Sequence, residues 1–424
     1  MNYTKFTLAN GLRVICVPFK NMESATVTVW ANVGSRYETK NIGGISHFLE
    51  HMVFKGSKKR PTAREIAESV DSIGGEFNAA TSKEWTNFYI KARSAVLDTA
   101  FDVLSDMVLH PFLRQEDIDR EKGVILEELA LYEDTPTARI GDLFEQVLFE
   151  GNTLGSDIIG TPGSIKATKR ADFEKYRKLH YYAQNLLITV SGGVSVQQVK
   201  DLCNKYFGEL KSDKRVEKFS EFKAKQSLPR VLLKTQKKEQ GHFMLGFLGN
   251  PKGHADRYIE SVLSSILGGG MSSRLFSEIR EKRGLAYSVR TNVEHYRDTG
   301  YIETYSGVEL NKIDEAIKVI LDQIYGLRDG KYKISKVELT KAKEYIKGHL
   351  ALSLEDTRAV NHFFGEDELI LGKVRTPEEV FEAIDKVNVA DILRVSKQLF
   401  VPSRLNLSII GPYEDKRRFE KLLG

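Results

Sequence analysis

The chain is one pattern written twice, about 220 residues apart, and that repeat restricts the fold to two copies of one domain. Late in the first half, Leu129-Ala130-Leu131 is followed by Glu133-Asp134-Thr135. Late in the second, Leu350-Ala351-Leu352 is followed by Glu355-Asp356-Thr357. In the same way NLLITVSGG (185–193) answers RLNLSIIG (404–411). A chain of 424 residues is also too long for a single compact core.

Each copy mixes two periodicities. TKFTLANGLRVICVPF holds two short runs around Asn10-Gly11, a hairpin signal, and residues 25–36 alternate as a strand. Residues 44–56 and 62–74 read as helices, the second opened by Pro61-Thr62 and stopped by Gly74-Gly75. Residues 75–92 alternate again as two strands, and helices follow over 94–108 and 115–132. After a charged, irregular stretch at 211–228, strands recur at 229–236 and 241–249, helices at 255–267 and 272–282, and paired strands at 286–307. Strands grouped between helices that cover one face predict an α+β fold: two homologous domains, each a mainly antiparallel sheet covered by helices. The expected division is a domain at 1–215, a linker at 216–228 and a second domain at 229–424.

Charge narrows the function. The 63 basic and 58 acidic residues are interspersed, so no basic stripe speaks for nucleic acid. Cys16 and Cys203, the only cysteines, are neither a disulfide framework nor a cysteine metal site. No apolar run reaches about 18 residues, and the N-terminus shows no apolar export segment, so a cytoplasmic protein without membrane spans is expected.

The chemistry concentrates at His47-Phe48-Leu49-Glu50-His51. On a helix His47 and His51 lie about 40° apart with Glu50 beside them, so two imidazoles one turn apart can grip one tetrahedral Zn²⁺. An unliganded carboxylate on that face can take a proton from a metal-bound water, and this spacing is among the metallopeptidase motifs. A catalytic zinc needs a third protein ligand. The later helix offers Glu121 and Glu128, two turns apart on one face; either can ligate while the other supports a histidine.

His47-x-x-Glu50-His51, followed after 76 residues by Glu128, resembles the zinc signature of the pitrilysin/insulinase peptidases. Within that superfamily the chain is similar to the short two-domain members related to the mitochondrial processing peptidases. The resemblance runs through GGISHFLEHMVFKG (43–56), GGEFNAATSKEWTNFYIKA (74–92), REKGVILEELALYEDTP (120–136) and LGGGMSSRLFSEIREKRGLAYSV (267–289). It implies a zinc-dependent endopeptidase with one Zn²⁺ per chain, held by His47, His51 and Glu128. Glu50 is then the general base, and Glu121 the carboxylate supporting a ligand.

The resemblance also implies how substrate is held. An unstructured peptide is expected to add as a β-strand along Phe77, Asn78 and Ala79. Arg280 and Tyr287 are the implied catalytic pair from the second half, which lacks a metal motif of its own. They are expected to meet the zinc of a facing protomer in a dimer that encloses a chamber, either of two copies or with a metal-free paralogue. Gly268-Gly269-Gly270 is similar to a substrate-contacting loop, and reads equally as a helix stop.

Overall fold

The computed structural model describes residues 1–424 apart from 214, 216, 217 and 424. The expected linker begins at 216 and 217, which lie outside the described residues. Two compact units emerge, each discontinuous in sequence. The first comprises Met1–Ala130, Ser156–Ser220 and Leu352–Pro377; the second comprises Leu131–Gly155, Glu221–Ala351 and Glu378–Gly424.

In the first unit, strands β1 (Thr4–Thr7), β2 (Arg13–Pro18), β3 (Ser24–Ala31), β4 (Glu76–Thr81), β5 (Thr86–Arg93) and β6 (Leu186–Gly192) form one sheet in the order β1-β2-β6-β3-β5-β4. Only β2 and β6 run parallel. In the second, β7 (Arg230–Thr235), β8 (Gln240–Gly249), β9 (Ala286–His295), β10 (Gly300–Glu309) and β11 (Asn406–Gly411) take the order β7-β11-β8-β10-β9. Here only β7 and β11 run parallel. Strand for strand, β2-β6-β3-β5-β4 and β7-β11-β8-β10-β9 are the same topology, with β1 an addition in the first unit. The repeat in sequence is thus a repeat in fold, α+β and mainly antiparallel.

Five helices of the first half are labelled here: α1 (Ile45–Val53), α2 (Ala63–Asp71), α3 (Leu97–Leu109), α4 (Gln115–Asp134) and α5 (Pro136–Leu148). Thr62 and Glu65 close a capping box at the start of α2. Phe48, Leu49 and Met52 of α1 are fully buried against the core formed by Val27, Val29, Ile188 and Val190. Each such side chain contributes about 1.5–3 kcal/mol of burial, which fixes the helix and the rotation of its opposite face.

The other face of this sheet is polar yet covered. Thr26, Thr28, Thr189 and Ser191 are buried under the helix Thr357–Leu371. Asn361 Nδ2 donates to Thr26 O at 2.9 Å, Thr28 Oγ1 at 3.0 Å and Thr189 O at 3.1 Å. Ser191 Oγ donates to Thr357 O at 2.6 Å. In the second unit α5 takes the corresponding place, packing Ile140, Phe144 and Leu148 against Met244 and Ile410. The segment read as a helix at 272–282 is wound as a π-helix over Phe276–Glu281. Such wide turns are rare and recur at functional positions. Among the described residues no helix is long and apolar enough to cross a membrane, and Cys16 and Cys203 are both buried free thiols.

Candidate metal centre

The start of α1 is set by a carboxylate far from it in type and close in space. Glu38 Oε2 accepts from Gly44 N at 2.6 Å, and its Oε1 accepts from Ser46 N at 2.8 Å and Ser46 Oγ at 2.5 Å. The two amides are among the unpaired donors that every helix leaves in its first turn, so the carboxylate caps the helix. Gly44 stands at φ 91°, and a Cβ there would meet Ile159 O at 2.5 Å. Only glycine satisfies both demands.

With Phe48, Leu49 and Met52 turned inward, His47, Glu50 and His51 share the remaining face of α1 and meet α4. Glu128 Oε2 lies 3.6 Å from His47 Nε2 and 3.5 Å from His51 Nε2. The ligand atoms of His47, His51 and Glu128 all lie within 4.8 Å of one another. Tetrahedral zinc ligands at 2.0–2.2 Å from the ion stand roughly 3.3–3.6 Å apart, so the pairs measured here fit that ion. His47 Nδ1 and Glu128 Oε2 are buried without hydrogen-bond partners. A buried oxygen with no hydrogen-bond partner, set between two imidazole nitrogens, fits the role of a metal ligand. Among the described residues no other group of three histidines, cysteines or carboxylates converges in this way.

Electrostatics suit the same use. Burial, helped by His51, pushes His47 down to about 4, so its ring is neutral and carries a lone pair at neutral pH. His51 Nδ1 stands 2.9 Å from Glu121 Oε1, and Glu121 Oε2 stands 2.7 Å from Lys55 Nζ. Burial alone would raise the Glu121 carboxyl, but the hydrogen bonds from His51 and Lys55 outweigh it and hold it below its ordinary value. Ionised, Glu121 accepts a hydrogen bond from Nδ1–H, which leaves the His51 Nε2 lone pair on the side where Glu128 stands. The geometry therefore separates the two carboxylates that the sequence left equivalent: Glu128 converges with the imidazoles, and Glu121 stands behind one of them.

Burial raises the Glu50 carboxyl, with Glu128 adding to the effect and Thr81 and His51 opposing it. Its Oε2 accepts from Thr81 Oγ1 at 2.5 Å. Thr81 ends β4, the free edge of the first sheet. Ser82 N donates to Trp85 O at 2.8 Å, which fixes the phase of the β4–β5 ladder. By the alternation of antiparallel pairs, the amides and carbonyls of Phe77, Ala79 and Thr81 point outward, and those of Asn78 and Ala80 face β5. Phe77, Ala79 and Thr81 also turn their side chains toward α1, where Phe77 packs 5.5 Å from Phe54. Asn78 is exposed, and its Oδ1 accepts from Ala79 N at 2.9 Å.

Arg280 and Tyr287 belong to the second unit, Arg280 in the π-helix and Tyr287 on β9. The guanidinium lies 4.6 Å over the Tyr287 ring and 4.9 Å over Phe276, and Arg280 Nη1 donates to Tyr287 O at 3.2 Å. Tyr287 is 78% exposed, unusual for an aromatic side chain. At Gly270 a Cβ would meet the Tyr345 ring at 2.9 Å, so the glycine loop is also a packing requirement.

Three contacts at the site escape a reading of the sequence: Glu38 with the start of α1, Thr81 with Glu50, and Lys55 with Glu121. Lys55 alone had a signal, lying four residues after His51 and so on the same helical face.

Comparison with known proteins finds peptidases along nearly the whole chain. Residues 13–162 match the family model for insulinase (peptidase family M16), and residues 168–346 match the model for the peptidase M16 inactive domain. A Bacillus subtilis protein named uncharacterized zinc protease YmxG is 37% identical, over 96% of this chain and 98% of its own. An uncharacterized zinc protease of Streptomyces coelicolor is 35% identical, over 97% of this chain and 90% of its own. Among solved structures, a protease from Helicobacter pylori superposes with a TM-score of 0.91 at 27% identity, covering 97% of this chain and all (100%) of that one.

Proposed function

Since the chain belongs to the insulinase family of peptidases, M16, we propose that it is a zinc-dependent endopeptidase acting on unstructured peptides. The observation that carries this reading is the convergence of His47, His51 and Glu128 with Glu50 beside them on one face of α1. In it, His47, His51 and Glu128 hold one Zn²⁺ per chain. When bound there, the ion would lower the pKa of a coordinated water and polarise the scissile carbonyl.

The remaining work falls to side chains and backbone. Glu50 accepts the water proton on its carboxylate and later passes it to the departing amine. The elevated affinity of a buried carboxyl for protons suits a group that must hold and then release one. The peptide adds to the free edge of β4 through the outward amides and carbonyls of Phe77, Ala79 and Thr81, and Asn78 lies beside that line. Small Ala79 lets a peptide backbone approach closely.

The reading is completed by a dimer that encloses a chamber. Arg280 and Tyr287 of a facing protomer donate there to a substrate carbonyl and to the tetrahedral oxyanion. The exposure of Tyr287 and the guanidinium stacked on its ring support that use.

The test is cleavage of an unstructured peptide of about 20 residues by the purified protein. Loss of cleavage on chelation, recovery with Zn²⁺, and absence in Glu50→Gln that still binds zinc are the expected results. A purified protein that takes up no zinc, or a Glu50→Gln variant as active as the parent, would overturn the reading.

A further inference from the structure

We infer that Thr81 is a positioning residue, which ties the general base Glu50 to the strand where the peptide docks; the inference rests on the peptidase reading above. Of the β4 side chains that face α1, Phe77 and Ala79 carry no hydrogen-bonding group, and Thr81 does. Its hydroxyl donates to Glu50 Oε2 at 2.5 Å. A β-branched residue is ordinary in a strand, and valine would fill the same volume with the same strand preference. The hydroxyl is therefore not needed for β4 itself, and what it adds is one bond to a mostly buried carboxylate.

That bond does two things. A glutamate side chain has three rotatable bonds, and engaging Oε2 holds the carboxylate in one orientation, leaving Oε1 to receive the proton. It also joins the base to the docking edge. The same residue points its own amide and carbonyl outward, at the position where an added strand would hydrogen-bond. A peptide that pairs with Thr81 fixes the backbone whose side chain fixes Glu50. Register of the substrate and direction of the base are then set by one residue.

Thr81→Val and Thr81→Ser separate this role from simple packing. With Thr81→Val, kcat is expected to fall about 10- to 100-fold, as for loss of a hydrogen bond to a charged group. KM, zinc content and thermal midpoint should stay near those of the parent. Thr81→Ser should recover most of the rate. Crystal structures of the parent and of Thr81→Val should show the Glu50 carboxylate displaced or in several orientations in the variant. A valine variant with the parental kcat, a serine variant no faster than valine, or an unmoved Glu50 carboxylate would each overturn the inference. If the parent cleaves no peptide, the peptidase reading falls, and the position of Glu50 in the two structures still decides the role of Thr81.

Discussion

Nδ1 of His51 and Oε1 of Glu121 stand 2.9 Å apart, and the far oxygen of the same carboxylate is 2.7 Å from Nζ of Lys55. The imidazole is thus oriented from behind, by a group that is itself 4% exposed and held ionised. Removing such a support typically weakens metal binding by about 10- to 100-fold while leaving the ligands in place. Glu121→Ala is expected to do so, with a near-parental circular dichroism spectrum. Competition with a chromophoric chelator measures it, and parental affinity in the variant would show that Glu121 does not orient His51.

Glu38 performs the analogous service for the helix. It satisfies two amides and one hydroxyl at the start of α1, all inside the protein. Glu38→Ala leaves those donors buried and unpaired, at a cost of about 2–4 kcal/mol in all. Urea unfolding should register the loss, and zinc affinity should fall with it, because the frayed turn is the one that carries His47. A loss below about 1 kcal/mol would mean that water replaces the carboxylate without penalty.

How far the sequence alone reaches can be judged residue by residue. The strands and helices around the site follow from periodicity, since burial of one face imposes it. The facing of His47, Glu50 and His51 follows from helical rotation alone. Spacing could not choose between Glu121 and Glu128, which sit two turns apart on one face; only the distance to the imidazole nitrogens does. Glu38 and Thr81 were illegible because their partners are brought to them by chain reversals, not by periodicity. The strand Thr26-Val27-Thr28-Val29 shows a subtler limit. Its hydroxyl face reads as a solvated one, yet it is closed by Asn361 from a helix more than 300 residues away. A hydroxyl looks the same in sequence whether water or a buried amide receives it.

Two buried glutamates of the second unit make stability depend on pH. Burial pushes Glu303 up to about 7 against the opposing pull of Asn292 and Arg290, and burial likewise raises Glu260 to about 7 against its bonds from Asn250. Both folded values exceed that of a free carboxyl at 4.5. Between those values each of these two carboxyls binds more protons in the folded state than in the unfolded one, so their contribution to stability falls as pH rises from about 4.5 to about 7 and then levels. The double variant Glu260→Gln/Glu303→Gln should flatten that fall by on the order of 5 kcal/mol between pH 5 and pH 8. Urea midpoints at pH 5 and pH 8 for parent and variant measure it. Equal pH dependence in the two proteins would show that neither carboxyl titrates in this window.

The free edge of β4 yields the last prediction. Ala79 N–H points away from β5, and the donor that would otherwise face water is taken by Asn78 Oδ1 at 2.9 Å. Edge strands left bare invite pairing with any chain, and a side chain that covers one donor is a mild form of protection. Asn78→Ala should therefore speed hydrogen exchange at the Ala79 amide by about fivefold, the worth of one modest hydrogen bond. The Ala80 amide, which faces β5, should exchange at its parental rate and serves as the internal control. Adding a peptide to the Glu50→Gln form should slow Ala79 in both backgrounds, because an added strand takes the same donor. Exchange at Ala79 that ignores the substitution would show that Asn78 does not guard the edge, and exchange that ignores the peptide would move substrate docking off β4.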